Sequence, residues 1–270
     1  MAEQTVKEAL TSAKKVLVGL GEEWKWKREA AEAAETAGVA GAGNAPANSR
    51  EALLAAYEGL YELIKDTDYF IVTMATDGLI FETPLGSQTE TVVSMDASAA
   101  DVSCPAVEGK AKEVMDRLFP AKEPARREAD TRIQRIVAPC GNENWQQCSQ
   151  GCTKDIWEPG EVPDGICPHC GAPLTGNTIE AHPYIEEGYL PQWERYTRWL
   201  TGTLNQDLVI LELGVGFSQP QVIRFPFEKT CYFNQRARMF RVHHTFPQVS
   251  AELEGRAEGI KARSTEWVLE

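Results

Sequence analysis

Four cysteines in two pairs are the residues of this sequence best suited to bind a metal ion. Cys148 and Cys152 are separated by three residues, and Cys167 and Cys170 enclose the knuckle Cys-Pro-His-Cys-Gly. The linker between the pairs is rich in proline and glycine, so the chain can fold back and bring four thiolates into the tetrahedron that zinc prefers. We predict a structural zinc site. A disulfide or free thiols, and a catalytic metal, are the alternatives.

A fifth cysteine, Cys140, has no place in a closed four-ligand site. It directly precedes Gly141 and lies eight residues before the first pair. One interpretation is a small, partly buried residue that fills space, and the other is a reactive thiol. The chain holds seven cysteines, an odd number, which favours metal ligation in a reducing compartment over a disulfide framework.

Two Gly-x-Gly sequences could bind phosphate. Gly19-Leu20-Gly21 and Gly214-Val215-Gly216 each close an apolar run, and a glycine turn between a strand and a helix presents free backbone N–H groups to an anion. Glu22 and Glu23 place two negative charges beside the first loop. The second loop has no acidic neighbour, and we expect Ser218 to cap the helix that follows it. A third glycine-rich stretch, at 39–49, follows no strand and is expected to be a surface loop.

Four apolar runs predict the strands that position these residues, at 16–21, 69–78, 207–220 and 229–235. Helical patterns at 3–15, 50–66 and 186–204 alternate with them, which predicts an α/β fold with a parallel sheet covered on both faces. Such sheets bind ligands at the carboxyl ends of their strands. The glycine tips, the polar end of the second run and Asn234 are therefore candidate site positions.

Composition and charge exclude several classes of function. The net charge is −13, and no basic stripe is present, which argues against a nucleic-acid partner. No uninterrupted apolar run reaches the roughly 18 residues of a spanning helix. The acidic start lacks the basic and apolar regions of a signal peptide. We expect a cytoplasmic protein with neither a nucleic-acid nor a membrane partner.

Taken in order, these segments resemble the sirtuin family of NAD-dependent protein deacylases and ADP-ribosyltransferases. The matching segments are Gly19-Leu20-Gly21, Thr73-Met74-Ala75-Thr76-Asp77, Cys140-Gly141, the four paired cysteines, Gly214-Val215-Gly216 and Phe233-Asn234. The stretch LVILELGVGFSQPQVIRFPFEK looks closest to the macrodomain-linked microbial sirtuins, which act as ADP-ribosyltransferases.

The resemblance implies a Rossmann-like parallel-sheet domain, formed by residues 1–139 and 205–270, and a small inserted zinc-ribbon lobe at 140–204. NAD and Zn²⁺ are the implied cofactors. It also implies the site residues. Those for NAD are Gly19, Gly21, Thr73, Asp77, Gly214, Gly216 and Asn234, those for zinc are Cys148, Cys152, Cys167 and Cys170, and those at catalytic positions are Cys140 and Asp77.

Departures from the family pattern bear on the reaction. The family histidine, a base toward the ribose hydroxyls, is replaced by Cys140, and the family asparagine by Ala75. A neutral thiol is a poor base at pH 7, because its ordinary pKa is ~8.5. An insertion is expected at 95–129. We predict an NAD-dependent transferase that acts on proteins, more by ADP-ribosyl transfer than by lysine deacylation. A non-catalytic homologue that binds NAD or ADP-ribose and a purely structural protein are the alternatives.

Overall fold

A computed structural model of the chain describes residues 2–26, 49–87, 90–91, 132–133 and 135–270. The chain divides into two compact units, Met1–Gln88 with Arg135–Glu270, and Thr89–Gln134. In the second unit the structure describes two short antiparallel strands, β3 (Glu90–Thr91) and β4 (Arg132–Ile133). The insertion predicted at 95–129 and all but the last residue of the loop predicted at 39–49 lie outside the described residues.

Six parallel strands form the sheet of the first unit, in the order β10-β9-β8-β1-β2-β5. They are β1 (Lys15–Leu20), β2 (Asp68–Thr73), β5 (Ile136–Val137), β8 (Leu208–Leu213), β9 (Ala237–Val242) and β10 (Ala257–Ile260). Every residue of β8 is buried, as are five of the six in β1 and in β2. Continuous apolar runs suit strands that are covered on both faces. The predicted parallel α/β sheet is confirmed.

Helices cover both faces of this sheet. They are α1 (Ala2–Ser12), α2 (Arg50–Ile64), α3 (Pro84–Ser87), α4 (Leu190–Thr201), α5 (Arg224–Phe233) and α6 (Ser264–Trp267). One core joins α1, α2 and α6 to the sheet, and a second core joins α4 and α5 to it. Helix α2 begins where the Ser49 hydroxyl accepts the Ala52 amide, an N-cap that satisfies one of the free amides of the first turn.

The strand predicted at 229–235 is wrong, because these residues lie largely in α5. Phe227 and Cys231 are fully buried and lie four residues apart on this helix, which is the spacing of one helical face. The fourth long strand is β9, which begins at Ala237. Asn234 therefore precedes β9, and its side-chain amide donates to the carbonyls of Thr203 and Gln206, just before β8. It lies at the amino ends of the strands, opposite the edge predicted for it.

Cys148, the first of the four paired cysteines, lies in an antiparallel pair of strands. The pair consists of β6 (Gly141–Cys148) and β7 (Leu174–Thr178), with a register shift between Asn142 and Gln146. Residues 140–204 belong to the first of the two units, and their separation as a small lobe stays a prediction. Among the residues that the structure describes, no helix is long and apolar enough to cross a membrane.

Candidate functional site

The two glycine loops meet at the carboxyl ends of β1 and β8. A Cβ atom on Gly21 would lie 2.3 Å from the Gly214 carbonyl oxygen and 2.3 Å from the Val215 Cα. Only glycine permits so close an approach of the two backbones. Gly214 has a φ of +64°, and its amide donates to the Val242 carbonyl at 2.8 Å. Chain segments far apart in the sequence thus meet at the carboxyl edge of the sheet.

Two of the predicted NAD-binding residues face the protein interior. Gly19 lies within β1, where a Cβ atom would come within 2.5 Å of Ile223 and 2.7 Å of Phe227. This glycine lets α5 pack closely on the sheet. Thr73, which ends β2, is fully buried, and its hydroxyl oxygen accepts the Ala75 amide at 3.1 Å. Gly19 therefore serves the packing of α5 on the sheet, and Thr73 shapes the loop after β2.

Glu22 reaches from the first glycine loop into the second. Its carboxylate accepts the Gly216 amide at 2.6 Å, the Ser218 amide at 3.2 Å and the Ser218 hydroxyl. Burial alone would raise the pKa of Glu22, but these hydrogen bonds outweigh it and hold the pKa below its ordinary value. The expectation that Ser218 caps a helix is wrong, because α5 begins only at Arg224. The amides that could hold a phosphate are bound by a carboxylate.

The side chain of Glu23 packs against Gly214 of the second loop, but its carboxylate has its partners outside that loop. Its buried carboxylate accepts the amide and the hydroxyl of Ser264 at 2.7 and 2.6 Å, and also the amide and ring nitrogen of His244. His244 follows the end of β9, and Ser264 opens α6. Sequence analysis missed His243 and His244, although polar residues directly after a buried apolar run are a signal for the carboxyl end of a strand.

A buried ionic network of Arg224, Arg241 and Glu212 contacts the second glycine loop. Arg241 donates to both carboxylate oxygens of Glu212, at 2.6 and 2.9 Å, and both residues are completely buried. The Arg224 guanidinium, 4% exposed, donates to the Val215 carbonyl at 3.0 Å and lies 4.2 Å from the centre of the Phe217 ring. These contacts fix the shape of the loop.

Asp77 lies at the carboxyl end of β2 and is only 2% exposed. Its two carboxylate oxygens accept the backbone amides of Leu79, at 2.9 Å, and Trp26, at 2.8 Å. Burial raises the pKa of Asp77 despite these bonds, and the nearby negative charge of Glu143 adds to the effect. The second bond ties the segment after the first glycine loop to the loop after β2.

Cys140 lies in the turn before β6, and its side chain is buried, with the residue 3% exposed. Burial raises the pKa of its thiol to about 11, so the sulfur is protonated at neutral pH. The turn is fixed by the Ile179 amide, which donates to the Cys140 carbonyl at 3.1 Å. Just beyond it, the Glu143 amide donates to the Thr76 carbonyl at 2.7 Å. The turn therefore adjoins the loop that carries Asp77.

The four paired cysteines gather as their spacing predicts. Their sulfur atoms all lie within 4.8 Å of one another, and Cys148 with Cys170, and Cys152 with Cys167, are 3.5 Å apart. A tetrahedral zinc ion with bonds of ~2.3 Å places its sulfur ligands about 3.8 Å apart, so the cluster has the dimensions of a metal site. His169, inside the second knuckle, contacts the Asp155 carboxylate at 2.8 Å instead.

No protein-family model matches the chain. Over 111 residues it is 28% identical to "Protein ADP-ribosyltransferase" of Staphylococcus aureus, and the match covers 34% of this chain and 35% of that protein. The matched part thus spans about a third of the relative's length. Among solved structures, a Sir2 homologue in complex with NAD is 12% identical, with 98% of this chain and 90% of the other covered and a TM-score of 0.49.

A substituted Sir2 homologue in complex with ADP-ribose is also 12% identical, with 98% of this chain and 93% of the other covered and a TM-score of 0.48. The chain is therefore similar to Sir2 homologues and, over a shorter stretch, to a protein named as an ADP-ribosyltransferase.

Proposed function

We propose that the protein is a sirtuin-like NAD-dependent transferase that acts on proteins by ADP-ribosyl transfer rather than by lysine deacylation. The observation that carries this proposal is the meeting of the two glycine loops at the carboxyl edge of a parallel sheet, where such sheets bind ligands. The loop with Asp77 adjoins this edge, and the turn with Cys140 adjoins that loop. The match to a protein named as an ADP-ribosyltransferase supports the choice of reaction.

The second glycine loop fits the phosphates of NAD. Its amides at Gly216 and Ser218 donate to the carboxylate of Glu22, and this arrangement of donors supports the proposal of an anion site. Gly21 and Gly214 keep the two loops close together. NAD, when bound, supplies ADP-ribose through cleavage of its nicotinamide–ribose bond. We propose that Gly21, Gly214 and Gly216 line the NAD site.

The state of Cys140 favours transfer over deacylation. A thiol with a pKa of about 11 cannot accept a proton from a ribose hydroxyl at neutral pH, and deacylation in the sirtuin pattern needs such a base. Transfer to a nucleophile relies more on positioning and on the electrostatics of the cleft. The carboxylates of Asp77 and Glu143 supply negative potential there. We therefore propose Asp77 as an electrostatic residue and Cys140 as a neutral contact.

The four-cysteine cluster is proposed to bind zinc. Its four ligands leave no open position for water, so the ion would stabilise the segment between β6 and β7 and take no part in the reaction.

A second candidate function is binding of NAD or ADP-ribose without catalysis. The specific observation in its favour is the combination of a protonated thiol at Cys140 with Ala75, whose methyl side chain cannot hydrogen-bond to water or ribose. In this case the protein would bind the dinucleotide without cleaving it.

The deciding experiment follows nicotinamide release from NAD by chromatography, with and without candidate acceptor proteins, and calorimetry measures NAD binding in parallel. Transferase activity predicts nicotinamide release together with an acceptor that gains the mass of ADP-ribose. An acetylated lysine peptide serves as the comparison substrate and should stay intact. Tight NAD binding without release would exclude the transferase and leave binding without catalysis, and no binding would exclude both.

A further inference from the structure

We infer that Glu22 is a built-in competitor for the phosphate site of the second glycine loop. Its carboxylate occupies the donors of that site, and it must leave before a diphosphate can bind there. The identity of the natural ligand rests on the proposed function, but the competition itself rests on the geometry of the loop.

Three donors converge on one carboxylate. The amides of Gly216 and Ser218 and the Ser218 hydroxyl all point at the two oxygens of Glu22. Phosphate oxygens accept hydrogen bonds from the same kinds of donor and carry the same sign of charge. A phosphate in this loop would therefore require the atoms that Glu22 now uses.

The loop is built to receive an anion. A Cβ atom on Gly216 would lie 3.1 and 3.2 Å from the two carboxylate oxygens of Glu22, which is a tight contact, so glycine gives an anion more room at this backbone. The buried guanidinium of Arg224 donates to the Val215 carbonyl and holds the amides in place. A preformed cradle of this kind needs no rearrangement when one anion replaces another.

Glu22 and Glu23 are equipped for different tasks. Glu23 is 5% exposed and accepts hydrogen bonds from Ser264 and His244, which anchors the backbone of this segment. Glu22 is only partly buried, and the partners of its carboxylate lie in the second loop. Since its neighbour fixes the backbone, Glu22 can leave by rotation of its side chain alone.

The competition operates at full charge under neutral conditions. The donors from the loop hold the pKa of Glu22 below its ordinary value, although burial acts in the opposite direction. The side chain is therefore ionised at neutral pH. The Glu22 carboxylate and a phosphate cannot use the same donors at once, because two negative charges in contact with the same amides would repel each other.

The test measures pyrophosphate and ADP-ribose binding by calorimetry to the wild type, Glu22→Gln and Glu22→Ala. Glu22→Gln keeps the size of the side chain and removes its charge. We expect it to bind pyrophosphate about tenfold more tightly than the wild type, which corresponds to about 1.4 kcal/mol. Glu254→Gln, an exposed residue with the same change in net charge, is the matched control and should leave the affinity unchanged.

A second readout uses acetate as a free carboxylate. In Glu22→Ala, acetate should weaken pyrophosphate binding, because it refills the vacated donors, and in the wild type it should have no effect. If Glu22→Ala does not fold, hydrogen exchange at the amides of Gly216 and Ser218 in Glu22→Gln replaces this readout, with slower exchange expected once pyrophosphate is added.

Equal pyrophosphate affinity of the wild type and Glu22→Gln would overturn the inference, and so would the absence of pyrophosphate binding to every variant. The proposed function fails separately. If Glu22→Gln gains affinity for pyrophosphate while neither protein binds NAD, the competition stands and the NAD-dependent transferase does not.

Discussion

The carboxylate of Glu23 and the hydroxyl of Ser264 form a hydrogen bond of 2.6 Å across 241 positions of the sequence. The same carboxylate accepts the Ser264 amide at 2.7 Å and the His244 amide at 3.2 Å. Burial would raise the pKa of Glu23, but these hydrogen bonds outweigh it, so the pKa lies below its ordinary value. One buried carboxylate therefore joins the end of β1, the end of β9 and the start of α6.

Glu23→Ala should lower the free energy of unfolding by about 3 kcal/mol, because the buried amide and hydroxyl of Ser264 lose their acceptor and the partly buried amide of His244 loses its partner as well. Urea unfolding measures the change. Glu254→Ala, at an exposed position, is the control and should stay within about 0.5 kcal/mol of the wild type.

The pH dependence has a defined sign. Since folding depresses the pKa of Glu23, its stabilisation is present above the ordinary value of 4.5 and is lost as the pH falls through the lower folded value. The stability difference between the wild type and Glu23→Ala should therefore shrink in acid below about pH 4. A difference that stays constant down to full protonation of the carboxylates would contradict this assignment.

Arg241→Met should destabilise the protein by about 3–5 kcal/mol, because it leaves the Glu212 carboxylate buried without its main partner. The double variant Glu212→Leu with Arg241→Met should lose less free energy of unfolding than the two single variants together, since both charges of the pair are then removed. Chemical unfolding of all four proteins completes the thermodynamic cycle. Strict additivity would show that the two side chains do not stabilise each other.

Local patterns account for what the sequence predicted of the fold. Strands β1, β2 and β8 were recognisable because strands buried on both faces are continuous apolar runs. The same rule failed at 229–235, where a short apolar and aromatic run belongs to a helix. Periodicity cannot separate the two cases in so short a run. The buried pair Phe227 and Cys231, spaced at four residues, was the signal for the helix.

In the candidate site, too, local features were predictable from the sequence and long-range contacts were not. The cysteine cluster was predictable because the spacing within each pair is local and specific to metal knuckles. The partners of Glu22 were not, because Gly216 and Ser218 lie 194 and 196 positions away. In the sequence both acids simply follow Gly21, and only the fold brings the Glu22 carboxylate to the second glycine loop and the Glu23 carboxylate into the protein interior.

Cys167→Ser should remove the metal from the four-cysteine cluster and unfold the segment around it. The wild type is expected to hold one zinc ion per chain by elemental analysis, because four thiolates at this spacing form a closed tetrahedral site. Cys231→Ala is the matched control, since Cys231 is also buried but lies in the core between α5 and the sheet. A folded wild-type protein that carries no zinc would contradict the prediction.

Cys140 should react slowly with iodoacetamide in the folded protein. Burial raises the pKa of its thiol to about 11, which reduces the reactive thiolate at neutral pH more than about a hundredfold relative to an exposed cysteine with a pKa of ~8.5. Mass spectrometry of the peptide that contains Cys140 compares the native protein with the protein in urea. The native rate should rise about tenfold per pH unit between pH 8 and 10. Rapid native labelling at pH 7 that NAD suppresses would instead establish a reactive thiolate at Cys140 and restore this residue as a candidate nucleophile or base.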